Sequence, residues 1–298
     1  MNKVIKVFPA LKKFTLSGMA RLEEWTAMAA TKTIMFPCLE ELNIWDCPLL
    51  KSVPLTCSSL EEVSISGCKK LSKIGDGLST STYLKDLDLY GCPNLKPIPS
   101  LDGLSSLTGL NLDNVGDGWS CLLPNMLRSN TSLRSLRISN LPDLIWIPDD
   151  SLGRLNCLGG LTVGGFSEEL QEFPFLGSIQ YLSASLRVLE LIGWKKLQSL
   201  LPQLQFLTAL EDLKIVEFQG IEALPEWLGN LSSLRRLTIC SCNILMYLPS
   251  VDVMRSLSKL EQICINDCLR LMTRCERESG PEWSKISHIP RIYINDRR

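Results

Sequence analysis

Residues 36–54 read FPCLEELNIWDCPLLKSVP, and their apolar skeleton is Leu39, Leu42, Ile44 and Cys47, followed by Leu50, Val53 and Pro54. The pattern LxxLxLxxC returns as Leu60, Val63, Ile65 and Cys68, and again as Leu84, Leu87, Leu89 and Cys92. Looser copies start at Leu11, Leu107, Leu133, Leu158, Leu186, Leu210, Leu234 and Leu260, and a shortened one surrounds Ile289, Ile292 and Ile294. First leucines fall 21 to 28 residues apart. Self-similarity at a fixed period governs the fold, because one such unit cannot bury its apolar face alone and stacks on its neighbours instead.

A period of about 20 to 29 residues with this skeleton is that of leucine-rich repeats. In each unit a short strand of period two turns the residues of LxL inward and the alternate ones outward. The chain then returns along the other side of the unit. The expected fold is therefore α/β, a leucine-rich-repeat solenoid in the form of a horseshoe or arc. It has a parallel concave β-sheet, an irregular or short-helical convex side, and about twelve repeats. Residues 1–298 are expected to form one domain, with 281–298 as C-terminal capping strand and tail. Brief helical turns are expected at Ser151–Leu155 and Glu226–Leu231, and a Gly- and Asp-rich loop at Gly116–Gly118.

The formal net charge is −1, so the chain lacks the basic footprint of a nucleic-acid binder. No apolar run reaches the eighteen or so residues of a membrane span. Twelve cysteines invite a disulfide reading. Five of them, Cys47, Cys68, Cys92, Cys242 and Cys268, instead occupy the last skeleton position, where a small buried near-apolar thiol suffices. In the middle of the chain that position carries Val115, Leu141, Phe166, Trp194 and Phe218, read as core. Paired CxxC motifs of a zinc site are missing, and His288 is the single histidine, read as structural or surface. No cofactor and no metal is expected, and no nucleophile, base or metal constellation marks an enzyme. The thiols point to a reducing, cytoplasmic setting.

Function is left to the outward residues of the strands, which a parallel ladder displays as columns. The early repeats offer Glu41, Trp45, Glu62, Asp86, Asp88, Tyr90 and Asp113, an acidic end with aromatic anchors. Later repeats offer Arg137, Val188, Ile192, Lys214, Val216, Arg236 and Tyr293, a more basic end. There Val188, Ile192, Val216 and Cys240 are expected to lie together as an apolar strip of the kind that marks interaction sites.

The repeat style of Phe36–Pro54, echoed in LKDLDLYGCPNLKPIP at 84–99, resembles the C-terminal leucine-rich-repeat region of plant intracellular nucleotide-binding disease-resistance receptors. The ending PEWSKISHIPRIYI at 281–294 is similar to the closing strand of the coiled-coil subgroup. The resemblance covers nearly the whole chain. It implies a non-enzymatic protein-recognition region whose partners are a pathogen effector or host protein and the receptor's own upstream domains. It also implies a nucleotide-binding module, but nothing here matches GxxxxGK[ST], and nucleotide binding is not assigned to these residues. A repeat beginning almost at the first residue gives the expectation of a fragment or truncated product. Two other readings are a secreted or cell-surface ectodomain or wall-enzyme inhibitor, and a ubiquitin-ligase substrate adaptor. The first would need a signal peptide and capping cysteine pairs, and the second an adaptor-docking segment before the repeats.

Overall fold

The computed structural model describes residues 5–25, 33–34, 36–55, 57–98, 101, 104–141, 143–144, 151–166, 176–193 and 196–295. Its contacts divide into two units, Met1–Ile147 and Pro148–Arg298. Each is built on six parallel strands of a leucine-rich-repeat solenoid.

In unit 1 the strands are β1 (Lys13–Ser17), β2 (Glu41–Trp45), β3 (Glu62–Ser66), β4 (Asp86–Cys92), β5 (Gly109–Val115) and β6 (Ser135–Ser139). Their register is unslipped: Leu42 pairs with Val63, Val63 with Leu87, Leu87 with Leu110, and Leu110 with Leu136. A one-residue slip would turn every leucine to solvent, so the period-two pattern itself holds the register. Leu39, Leu42, Ile44, Leu50 and their counterparts are fully buried. At the lower end the inward residues of β1, Phe14 and Leu16, are only half-buried. Phe14 stacks on Phe36 at 5.2 Å between ring centroids and meets Trp25 at 5.3 Å. Two-residue strands Ser52–Val53 and Lys73–Ile74 add a small parallel pair of their own.

Between β5 and β6 the expected loop at Gly116–Gly118 is followed by a helix, α1 (Trp119–Ser129), which the sequence reading did not anticipate. Trp119, Leu123, Met126 and Leu127 are its buried residues, a helical stripe. The Trp119 indole Nε1 donates to the Leu95 carbonyl at 3.2 Å.

Unit 2 contains β7 (Gly160–Gly164), β8 (Val188–Ile192), β9 (Asp212–Val216), β10 (Arg236–Cys240), β11 (Gln262–Asn266) and β12 (Arg291–Asn295). Short 3-10 turns at Leu176–Leu182, Pro202–Phe206 and Glu226–Asn230 and a helix, α2 (Val251–Ser256), form its other side. The expected turns at 226 and 151 are therefore present, the second as a turn through 152–154. Two more helices, α3 (Leu269–Arg274) and α4 (Trp283–Ile286), precede β12. Glu282, 3% exposed, binds this region down. Its carboxylate accepts from the Leu248 amide at 2.8 Å and from Lys285 Nζ at 2.7 Å.

The last skeleton position behaves as read from the sequence. Cys47, Cys68, Cys92, Cys242 and Cys268 are buried, and each thiol donates to the carbonyl two residues earlier, as Cys47 does to Trp45 at 3.5 Å. Val115, Leu141, Phe166 and Phe218 fill the same place as core, while Trp194 lies outside the described residues. Just before this position the chain turns left-handed, at Asp46, Asn114, Asn140, Glu217, Ser241 and Asp267 and at several glycines. The turn aims an amide at the next strand: Asp46 donates to the Ser66 carbonyl at 3.1 Å and Ser241 to that of Asn266 at 2.9 Å.

Candidate functional site

Because the register holds, the outward residues of each unit form three columns of six. Unit 1 shows Lys13, Glu41, Glu62, Asp86, Gly109 and Ser135 in the first. Thr15, Asn43, Ser64, Asp88, Asn111 and Arg137 make the second, and Ser17, Trp45, Ser66, Tyr90, Asp113 and Ser139 the third. Neighbouring rungs are about 4.8 Å apart.

The acidic end expected from the sequence is assembled here, with one correction. Glu41, Glu62 and Asp86 stack directly. Glu41 is bonded to Lys13, whose ammonium holds that carboxyl below its ordinary range. Glu62 and Asp86 are exposed, and their carboxylates make no hydrogen bond or ion pair among the described residues. Trp45 and Tyr90 are 41% and 52% exposed, with only Ser66 between them. Asp88 is half-buried; Asn111 Nδ2 donates to it at 2.7 Å and Ser64 Oγ at 3.4 Å. Burial pushes its carboxyl above the ordinary value, against the lowering by those bonds. Asp113, expected outward and free, is 2% exposed instead. Arg137 Nε donates to one of its oxygens at 3.0 Å and Asn140 Nδ2 to the other at 2.7 Å, and the two together cover it. Arg137 is thus a partner of Asp113 rather than an open cation.

In unit 2 the expected apolar strip is divided. Ile192 is in register with Val216, and Val216 with Cys240, but Val188 pairs with Asp212 at the other end of the strand. Val188 and Ile192 lie four steps apart along the strand, about 13 Å. Ile192 is also 7% exposed rather than open. The turn after β7 lies over that strand end, with the Gly165 amide donating to the Ile192 carbonyl at 3.2 Å. A Cβ on Gly164 would come within 1.7 Å of the same oxygen, so only glycine permits this approach. Val216 is half-buried, and Val188 and Tyr293 are exposed. The cations there are engaged: Lys214 with Glu190 at 2.8 Å, and Arg236 with Asp212 at 2.8 Å. Beside the strand starts runs a further ladder, Arg187, Glu211, Arg235, Glu261 and Arg291, each bridged to the next.

Lys13 and Asp212 were not singled out from the sequence, yet each controls a candidate. Both precede the second skeleton residue as Glu41 does, so aligning the repeats column by column would have found them. The open faces are polar sheet, not pockets. A cleft of about 910 Å³ opens among the turns around Lys196–Gln203, Gly220, Glu222 and Ile244. A flat ladder suits a macromolecule better than a small ligand, which is held in concave sites.

Repeat-fixed leucines inside and variable side chains in register outside define a leucine-rich-repeat protein. A model described as R13L1/DRL21 leucine-rich repeats matches residues 190–268. The chain is similar to TMV resistance protein N of Nicotiana glutinosa, 27% identical over 294 residues, covering 89% of this chain and 24% of that one. It is also similar to two Arabidopsis thaliana proteins. Disease resistance protein RPS4B is 29% identical over 73% of this chain and 18% of its own length. Disease resistance protein RPM1 is 24% identical over 70% and 24%. The chain spans a quarter or less of the length of these relatives. No helix among the described residues is long and apolar enough to cross a membrane.

Proposed function

We propose that this chain is the recognition region of a plant immune receptor, working in the cytoplasm without catalysis of its own. Its open strand face senses a pathogen effector or host protein, or holds the receptor's upstream domains inactive. The similarity to disease-resistance proteins along most of the chain is the observation that carries this reading. The columns supply the means, since most of the eighteen outward positions in each unit are not needed by the apolar scaffold beneath them. The resemblance of 281–294 to the closing strand of the coiled-coil subgroup supports a receptor of that subgroup, and we take residues 281–298 as the cap of the array.

The test is made in leaf tissue expressing the chain within its native reading frame. Glu62→Lys with Asp86→Lys is expected to change the defence response, read as ion leakage, either abolishing it or releasing it without a pathogen. Tyr181→Ser, an exposed change on the helical side of unit 2, is expected to leave it alone. Equal responses from both variants and the parent would remove the open-face reading.

A further inference from the structure

The two open faces differ in charge, and the difference selects a partner for one of them. The columns of unit 1 carry the carboxylates of Glu41, Glu62, Asp86, Asp88 and Asp113 against two cations, Lys13 and Arg137. Those of unit 2 carry Glu190 and Asp212 against Lys214, Arg236 and Arg291. The acid charge of unit 2 is neutralised in place by Lys214 and Arg236, whereas in unit 1 Lys13 and Arg137 pair with Glu41 and Asp113 and leave Glu62 and Asp86 without an ion pair among the described residues. Like charges directly opposite on adjacent strands repel, so the Glu62–Asp86 pair is a standing cost that the fold does not need. A chain of formal net charge −1 concentrates it on one face.

Two further observations concern that same face. Trp45 and Tyr90 stand two rungs apart with Ser66 between them, their backbones about 9–10 Å apart, which leaves a slot between the two aromatic positions. Large exposed aromatics in pairs favour a planar cation, and a guanidinium stacks on them better than an ammonium does. Higher on the face, Ser139 is 0% exposed and its hydroxyl has no hydrogen-bond partner. It lies in the third column, in register with Asp113. The Asn111 Oδ1 beside Asp88 is likewise buried and unpartnered. The hydroxyl can donate or accept and the Oδ1 only accepts; both atoms are covered, so they lie beneath the docking face and not on it.

We propose that the open face of unit 1 docks a basic, arginine-bearing protein segment. Its cations lie along Glu41, Glu62 and Asp86, and one guanidinium enters the slot between Trp45 and Tyr90. This rests on the reading of the strand face as the recognition surface and names the partner's chemistry for one unit. It also assigns roles: the carboxylate column sets attraction and on-rate, and the aromatic pair sets the preference for arginine over lysine.

Random dodecapeptides are selected on the full chain, and the winners are measured by fluorescence anisotropy. They are tested on the parent, on Glu62→Lys with Asp86→Lys in unit 1, and on Val188→Glu with Tyr293→Ala in unit 2. All four positions are exposed, so circular dichroism of each variant should match the parent. Arginine-containing winners are expected, binding the unit 1 variant about tenfold more weakly and the unit 2 variant unchanged. Their affinity should fall as salt rises from about 0.01 to about 0.1 M, where the Debye length shrinks from about 30 to about 10 Å. Arginine-to-lysine changes in the peptide should weaken binding to the parent and make no difference on Trp45→Ala with Tyr90→Ala. Winners without basic residues, or winners sensitive only to the unit 2 variant, overturn the assignment and leave strand-face recognition standing. Binding indifferent to every variant overturns both.

Discussion

Ser241 sits left-handed at φ 54°, where Gly67 and Gly91 do the same work in other repeats. An L-residue in that conformation costs roughly 1–2 kcal/mol, and only glycine escapes it. Ser241→Gly is therefore expected to stabilise the chain by about 0.5–1 kcal/mol, read as a higher urea midpoint at unchanged slope, after allowing for the greater freedom of glycine in the unfolded chain. Glu217 holds the same position in the preceding repeat and should respond alike. Asp88 supplies a pH-dependent case. Its folded pKa is raised, chiefly by burial, so the native state holds the proton more tightly than the unfolded chain does. The stability linked to that proton is present below the unfolded carboxylate value and lost as pH rises through the folded one. Asp88→Asn keeps an acceptor oxygen for Asn111 and carries no charge to desolvate. Relative to the parent it should gain stability at neutral pH and lose that advantage in acid, which urea midpoints across pH would show. The buried thiols behave as structural groups: burial pushes Cys275 up to about 12, so it is not expected to react with alkylating agents in the folded chain.

At the scale of elements, α1 shows what a repeat pattern hides. The twelve strands were readable because LxL spacing is local and repeats, and the burial of Cys47 and its counterparts followed from their place in it. The helix Trp119–Ser129 was not, although its apolar residues recur at helical spacing. Pro124 within it argues against a helix, and the group at its start comes from elsewhere. Asp143, in the next repeat, accepts from the Gly118 amide at 2.7 Å and the Ser120 hydroxyl at 3.0 Å. A cap 25 residues downstream leaves no local signal. Asp143→Ala should cost about 1 kcal/mol and raise amide exchange in Trp119–Ser129 before the flanking strands. The covering of Asp113 and Ile192 escaped the sequence for a related reason. Column position follows from period two, but exposure depends on neighbours such as Asn140 and Gly165, which lie beyond the strands. Glu282 joins three elements of unit 2 and has a larger effect. Its carboxylate is buried between Lys285 and the Leu248 amide, with Arg274 at 3.5 Å. Glu282→Ala removes the acceptor of the buried Leu248 amide and of two half-buried cations and should cost about 1–3 kcal/mol, with exchange rising first in α4 and β12.

For the molecule as a whole, stability is distributed along the stack rather than centred. Each repeat rests on its immediate neighbours, so the loss of one inward leucine is a regional injury. Leu213→Ala, at a side chain 1% exposed, should cost about 2–5 kcal/mol. Protection should fall in β8, β9 and β10 while β1–β4 keep theirs, a contrast that a centrally cored protein would not show. The left-handed turn that ends most of the strands has one more consequence, for how such a chain can change by mutation. It fixes the register afresh in the repeats that carry it, while the stretch from that turn to the next leucine varies so that first leucines stand 21 to 28 residues apart. Residues gained or lost in that stretch are absorbed on the helical side, and no outward side chain leaves its column. Each rung is therefore a separately editable site, and a lineage can rewrite what the face recognises one letter at a time while insertions and deletions pass beneath it unread.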